Sequence, residues 1–185
     1  MTKSMGLSLL ELLIVVLVLS ALLGISLPNL SILMQKTQGE LTLRKLANAI
    51  QFAKSSAITK NSIVTLCRSR DGIECGGEWR NGVLIFTDTN ADREINGEDL
   101  LLRYITFPNA VGSINFRAFQ NKQYLQLTSL GFTRNQNGNF TYCPDSGIAT
   151  LASQLIINRT ARVRFATDTN NDGLKENSRG KPIRC

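Results

Sequence analysis

Histidine is absent from all 185 residues. The commonest general base and metal ligand is therefore missing, and no nucleophile motif stands in for it, so enzymatic readings recede. No Cys-x-x-Cys occurs among the four cysteines and no histidine could complete a zinc site, which argues against structural zinc. No metal or other cofactor is expected. Acidic residues are in the minority. The 14 Asp and Glu stand against 21 Lys and Arg, a net charge of +7, which suits anionic partners such as nucleic acid or phospholipid.

Charge is scarcest at the front. After Lys3, the 21 residues from Leu7 to Leu27 are almost wholly apolar. As a helix they would span about 31 Å, roughly the hydrocarbon thickness of a bilayer. A soluble core helix would not need to be apolar on every face. The run thus reads as a membrane span or a secretory signal. No Ala-x-Ala follows it, as a removed signal would require; Ser26-Leu27-Pro28-Asn29 follows instead. The small residue available for cleavage, Gly6, lies before the run. Glu11 sits inside it without a neighbouring cation. A lone carboxylate in hydrocarbon costs about 2.5 kcal/mol or more, so it marks a functional contact with a partner elsewhere.

These residues carry a resemblance. Met5-Gly6-Leu7-Ser8-Leu9-Leu10-Glu11-Leu12-Leu13 resembles the class III signal of type IV prepilins and type II secretion pseudopilins. The resemblance implies that a prepilin peptidase cuts between Gly6 and Leu7 and that the new N-terminus is methylated. Leu7 stands where these proteins more often place an aromatic residue or methionine. Glu11 would become the fifth mature residue and neutralise the terminal amine of a neighbouring subunit. An amine and a carboxylate buried together are tolerated where either alone is strongly unfavourable.

Beyond the span, Pro28 cannot donate to the carbonyl of Gly24, so a kink is expected at Gly24 and Pro28. Leu30, Leu33, Met34, Thr37 and Leu41, then Leu43, Leu46, Ala47, Ile50, Ala53 and Ala57, recur at helical spacing. One helix from about Leu7 to about Ala57 results, with Gly39 as a weak point. Two helices joined by a loop at 28–39 are the alternative. From Asn61 the period becomes that of strands: 62–67, 83–86, 101–105, 113–119 and 124–128. A hairpin over 132–142 around Asn137-Gly138 and two closing strands, 155–157 and 161–165, follow. The implied fold class is α+β, a long helix packed on an antiparallel β domain. Four segments result: a leader (1–6), a transmembrane and assembly helix (7–28), an amphipathic half-helix (29–60) and a β domain (61–185).

The order of features sharpens the resemblance. Cys67, Trp79 with Gly82, the strand to Asp88, a glycine-bearing turn and the Arg103 strand are similar to the FimT/FimU/GspH branch of minor pilins and pseudopilins. Leu127 to Gly131, Asn139 to Cys143 and the late Arg-x-Arg strand are similar to it too. The branch implies a pilin fold, no catalysis, and a single-pass inner-membrane protein with a periplasmic β domain that later enters an extracellular pilus. Its partners would be other major and minor pilins, and type II secretion is the alternative setting.

Cys67, Cys75, Cys143 and Cys185 form an even set and should pair if the span exports them. Three connectivities are possible. Cys67 with Cys75 closes a short loop, and Cys143 with Cys185 pins the tail; this pair of bridges is favoured. Alternation places Arg162 and Arg164 on one strand face, with Arg179, Lys181 and Arg184 later in the chain. Guanidinium forks suit phosphate, so double-stranded DNA is a candidate partner. Minor pilins similar to FimT carry Gly-Arg-x-Arg here, where this chain has Ala161 in place of the glycine. The competing reading is a solvated face paired to Asp168, Asp172 and Glu176. Finally, Asp88-Thr-Asn90-Ala-Asp92 and Asp168-Thr-Asn170-Asn-Asp172-Gly173 resemble calcium loops, but Arg93 occupies a glycine position and Arg179 the closing acid of the second. Both are expected to be β-turns.

Overall fold

A computed structural model describes residues 8–108 and 112–185, with backbone but not side chains at 23–29. One helix, α1 (Leu9–Lys60), runs through the expected loop region at 28–39 without a break. Ser8 precedes it as its cap: the backbone N–H of Glu11 donates to the Ser8 hydroxyl at 3.3 Å. Ser-x-x-Glu is a capping box, so this carboxylate also marks where the helix begins.

The chain divides into two compact units, up to Lys36 and from Thr37 onward. In the first, the large apolar side chains from Leu9 to Leu22 are between 48% and 77% exposed. Among the described residues no helix is long and apolar enough to cross a membrane. The run read as a span, Leu7–Leu27, lies partly outside those residues.

In the second unit the buried stripe of α1 begins at Gly39 and continues through Leu43, Leu46, Ile50, Ala53 and Ala57, in steps of four and three. Leu41, counted into the apolar series, is exposed instead. Eight strands follow among the described residues: β1 (Val64–Arg68), β2 (Gly82–Thr87), β3 (Leu101–Thr106), β4 (Ser113–Ala118), β5 (Tyr124–Leu127), β6 (Gly138–Cys143), β7 (Ser153–Ile157) and β8 (Val163–Phe165). They form two antiparallel sheets, ordered β3-β2-β1-β5 and β4-β6-β7-β8. Val64, Leu66, Val83, Ile85, Leu125 and Leu127 from the first sheet meet Phe116, Phe140, Leu155 and Ile157 from the second, with the helix stripe in the same core. Trp79 stands edge-on to Phe140 and Phe116, at 4.7 and 5.5 Å between centroids. The other face of the first sheet builds a smaller core of Cys67, Leu84 and Phe86. This explains why β2 reads as an unbroken apolar run.

The expected hairpin over 132–142 does not form. The chain turns earlier, at Thr128–Phe132, and Thr133 bridges back to Leu127 of β5. β6 pairs with β4 and β7 instead. Asn-Gly resembled a turn, but Gly138 is the first strand residue, pressed against the backbone of Arg117 and Ala118 where a Cβ would collide.

Gly39 is a packing requirement rather than a weak point. A Cβ there would drive into the Tyr142 ring, 2.7 Å from its Cδ1, and that ring is buried. Helix propensity favours alanine by about 1 kcal/mol, but overpacking a rigid ring costs about 1–3 kcal/mol or more. Gly39→Ala should therefore lower thermal stability on balance, measurable by calorimetry of the full chain in detergent; a rise would refute the contact. Burial, reinforced by the charge of Asp145, pushes the Tyr142 phenol above its ordinary value of 10.0. Its contribution to stability is complete below pH 10 and is lost as alkali drives ionisation in the unfolded chain first.

Candidate functional site

Three groups of residues carry the functional expectations. At the N-terminus, Gly6 and Leu7 lie outside the described residues. Glu11 is exposed in the first turn of α1. The backbone at Gly24 and Pro28 is helical, within the unbroken α1.

The second group is basic. Ala161 adopts φ +54°, the left-handed conformation that a glycine would take freely, while its methyl is fully buried. Asn158 builds the turn: its carboxamide oxygen accepts the N–H groups of Thr160 at 3.1 Å and Arg162 at 2.9 Å. Lys54 of α1 donates to the Thr160 carbonyl at 2.8 Å and fastens the turn to the helix. The tight turn thus survives the replacement of glycine. Left-handed backbone costs an L-residue about 1–2 kcal/mol, and deleting a buried methyl loses about 0.8 kcal/mol. Ala161→Gly should accordingly change stability by less than about 1 kcal/mol in a denaturant titration, whereas a large loss would mean the turn is held differently.

Arg162 lies at this turn and Arg164 within β8, both exposed. In register, Arg164 stands opposite Ile156, which faces Asn139, which faces Arg117. The outer face of the second sheet therefore carries an arginine on each edge strand, about 14 Å apart across three strand spacings. Arg117 was missed in the sequence, although Ile114 and Phe116 alternate with Ser113, Asn115 and Arg117. Arg179, Lys181 and Arg184 are exposed on the C-terminal arm. Cys143 is bonded to Cys185 and Cys67 to Cys75. The longer bridge draws the tail to the far end of β6, four residues beyond Asn139, or about 13 Å along the strand. Ile183 of the tail packs with Ala152 and Ala166, two residues beyond Arg164. The pairs of arginine with Asp168, Asp172 or Glu176 do not form; the ion pairs among the described residues are Arg80–Glu78 and Lys175–Glu40.

The third group is acidic. Asp88 is fully buried, and its Oδ2 accepts from the Thr65 hydroxyl and from the Gln126 amide at 3.0 Å. The side chain of Asn96 and the N–H of Glu94 hold the Asp92 carboxyl below its ordinary range. In the second loop, Asp168, Asp172 and Glu176 each bring an oxygen within 4.8 Å of the others. The sequence places Arg179 where a closing acid is expected, and Glu176 was read there only as a partner for arginine.

A helix with bare apolar side chains at its front, and an α+β domain of two antiparallel sheets at its rear, is the build of a pilin-like subunit. The chain is similar to two crystal structures of the Pseudomonas aeruginosa (strain PAO1) type IV minor pilin FimU. They have TM-scores of 0.55 and 0.51 at 18% identity, each over 69% of this chain and over 87% and 92% of the other. It is also similar to the pilin-like protein PilA1 of Thermus thermophilus, 37% identical over 95 residues. That match takes in 51% of this chain and about half, 55%, of the relative. Residues 42–161 match the family described as type II transport protein GspH, and the chain belongs to that family.

Proposed function

We propose that the chain is a minor pilin of a type IV pilus, held first in the inner membrane and then moved into the filament. The observation that carries this reading is the apolar, exposed front of α1 joined to a GspH-family domain. Such a surface is unfavourable in water and is satisfied by lipid or by like helices of other pilins. A prepilin peptidase would cut between Gly6 and Leu7, the new amine would be methylated, and the β domain would face the periplasm until assembly. Placement near the filament tip would let the protein support pilus biogenesis. The chain itself needs no catalytic chemistry. The test is fractionation of sheared filaments from the native host: the chain should be recovered with other pilins, and its confinement to the membrane would refute the reading.

DNA capture for natural transformation is a finer reading, supported by Arg162 and Arg164 and by Arg117 on the same outer face. Arg162→Gln with Arg164→Gln should weaken binding of double-stranded DNA uniformly across sequences. It should also reduce the salt slope by about two, near 0.9 for each phosphate that is no longer neutralised. Unchanged binding would remove this face from the account. The alternative setting, a minor pseudopilin of type II secretion, is supported by the family description itself. A deletion strain separates the two: loss of twitching or transformation marks the pilus, and loss of protein secretion marks the secretion system.

A further inference from the structure

The two acidic loops, Asp88–Asn96 and Asp168–Glu176, are built alike, residue for residue. In each, the first aspartate accepts the N–H of the sixth residue, Arg93 at 3.2 Å in one and Gly173 at 2.8 Å in the other. The third residue, an asparagine, donates its amide to the fifth, an aspartate, at 2.7 and 2.9 Å. That aspartate accepts the N–H of the seventh at 2.9 and 2.8 Å. The fourth and sixth residues are left-handed in both.

They part at the ninth residue. In the first loop this is Asn96, whose amide donates to Asp92 at 2.8 Å, while Gln126 and Thr65 donate to Asp88. Neutral donors thus meet Asp92 and the Oδ2 of Asp88; the Oδ1 of Asp88 is buried without a hydrogen-bond partner, but the ninth position adds no further carboxylate beside it. In the second loop the ninth residue is Glu176, which adds a third carboxylate to Asp168 and Asp172. Glu176 is only 6% exposed. Its Oε2 accepts the N–H and hydroxyl of Thr169 at 2.8 and 3.0 Å, but its Oε1 is buried with no hydrogen-bond partner. No cationic side chain pairs with the three carboxylates among the described residues. A buried carboxylate oxygen without a donor, beside two like charges, is strongly unfavourable unless a cation meets it.

We propose that Asp168, Asp172 and Glu176, with the carboxamide oxygen of Asn170, form a calcium-binding site. The donors are all hard oxygens, which favours calcium or magnesium over zinc or copper. Three carboxylate oxygens within 4.8 Å of one another can be gathered by one cation, and calcium, with bonds of about 2.3–2.6 Å and a flexible geometry, suits such a set better than magnesium, which demands a near-ideal octahedron at about 2.0–2.1 Å. The bound ion would also fasten the C-terminal arm. Glu176 pairs with Pro182, Ile183 donates to Lys175, and Cys185 is tied to Cys143, so the arm bearing Arg179, Lys181 and Arg184 hangs from this loop.

The test is thermal unfolding of the full chain in detergent, stripped with EDTA and then given calcium chloride. At about 100 times the dissociation constant the melting temperature should rise by about 5–10 °C. Glu176→Gln, which keeps an oxygen for Thr169 but removes the charge, should abolish the rise. Asp92→Asn in the sister loop should leave it intact. Equal melting temperatures with EDTA and calcium in the unaltered chain would overturn the proposal, as would a full rise in Glu176→Gln. An equal rise with magnesium chloride at the same concentration would overturn the assignment to calcium.

Discussion

Cys143→Ser is expected to lower the melting temperature of the full chain by about 8–16 °C, the largest stability loss of any single substitution considered. The bridge to Cys185 spans 42 residues. In the chain-entropy view, closing a loop of that length restricts the unfolded state by about 4 kcal/mol, and a domain of this size shifts by about 2–4 °C per kcal/mol. Cys67→Ser, whose bridge spans 8 residues, should cost less, about 2–3 kcal/mol. The order of the two effects matters more than either value. The long bridge secures the arm that follows β8, where Ile183 packs with Ala152 and Ala166. Calorimetry of both variants under non-reducing conditions checks the order; a smaller effect for Cys143→Ser would mean the arm is held by other contacts.

Glu11→Gln is expected to leave the helix and its membrane insertion intact and to abolish entry into filaments. The structure makes the choice of glutamine important. Glu11 stands three residues after the capping Ser8, where a Glu or Gln side chain completes the capping box, so Glu11→Ala would also weaken the helix start even though the backbone N–H still donates to the Ser8 hydroxyl. Glutamine serves the capping box equally well and removes only the charge. On the proposed assembly, a terminal amine left without its carboxylate among apolar helices costs about 3–5 kcal/mol, equivalent to a loss of about two to four orders of magnitude in incorporation. Immunoblots of sheared filaments and membranes would show it. Normal incorporation of Glu11→Gln would reduce the carboxylate to a helix cap.

Much of this was legible in the residues because the signals were periodic. The steps of four and three along Leu43, Leu46, Ile50, Ala53 and Ala57 gave the packed half of the helix. Alternation gave most strands to within two residues at either end. What failed were local signals open to two physical readings. Asn137-Gly138 resembled a hairpin turn, yet its glycine serves close backbone approach between β4 and β6. Gly39 resembled a helix weakness, yet it makes room for Tyr142. The division of the strands into two sheets depends on long-range pairing that no local pattern encodes. Among the functional residues, the arginines of the late strand were visible, but Arg117 joins them only through cross-strand register. Glu176 was read only as an arginine partner, because its place beside Asp168 and Asp172 depends on the chain turning inward at the ninth position of a loop, not on sequence spacing alone.

The central claim is that proteolysis ahead of Leu7 produces a subunit that packs by its apolar helix among other pilins. Mass spectrometry of the chain recovered from sheared surface filaments of its native host tests this most directly. The account predicts an N-terminal peptide that begins at Leu7 and carries one methyl group on its amine. A filament-derived chain that still begins at Met1 would contradict it.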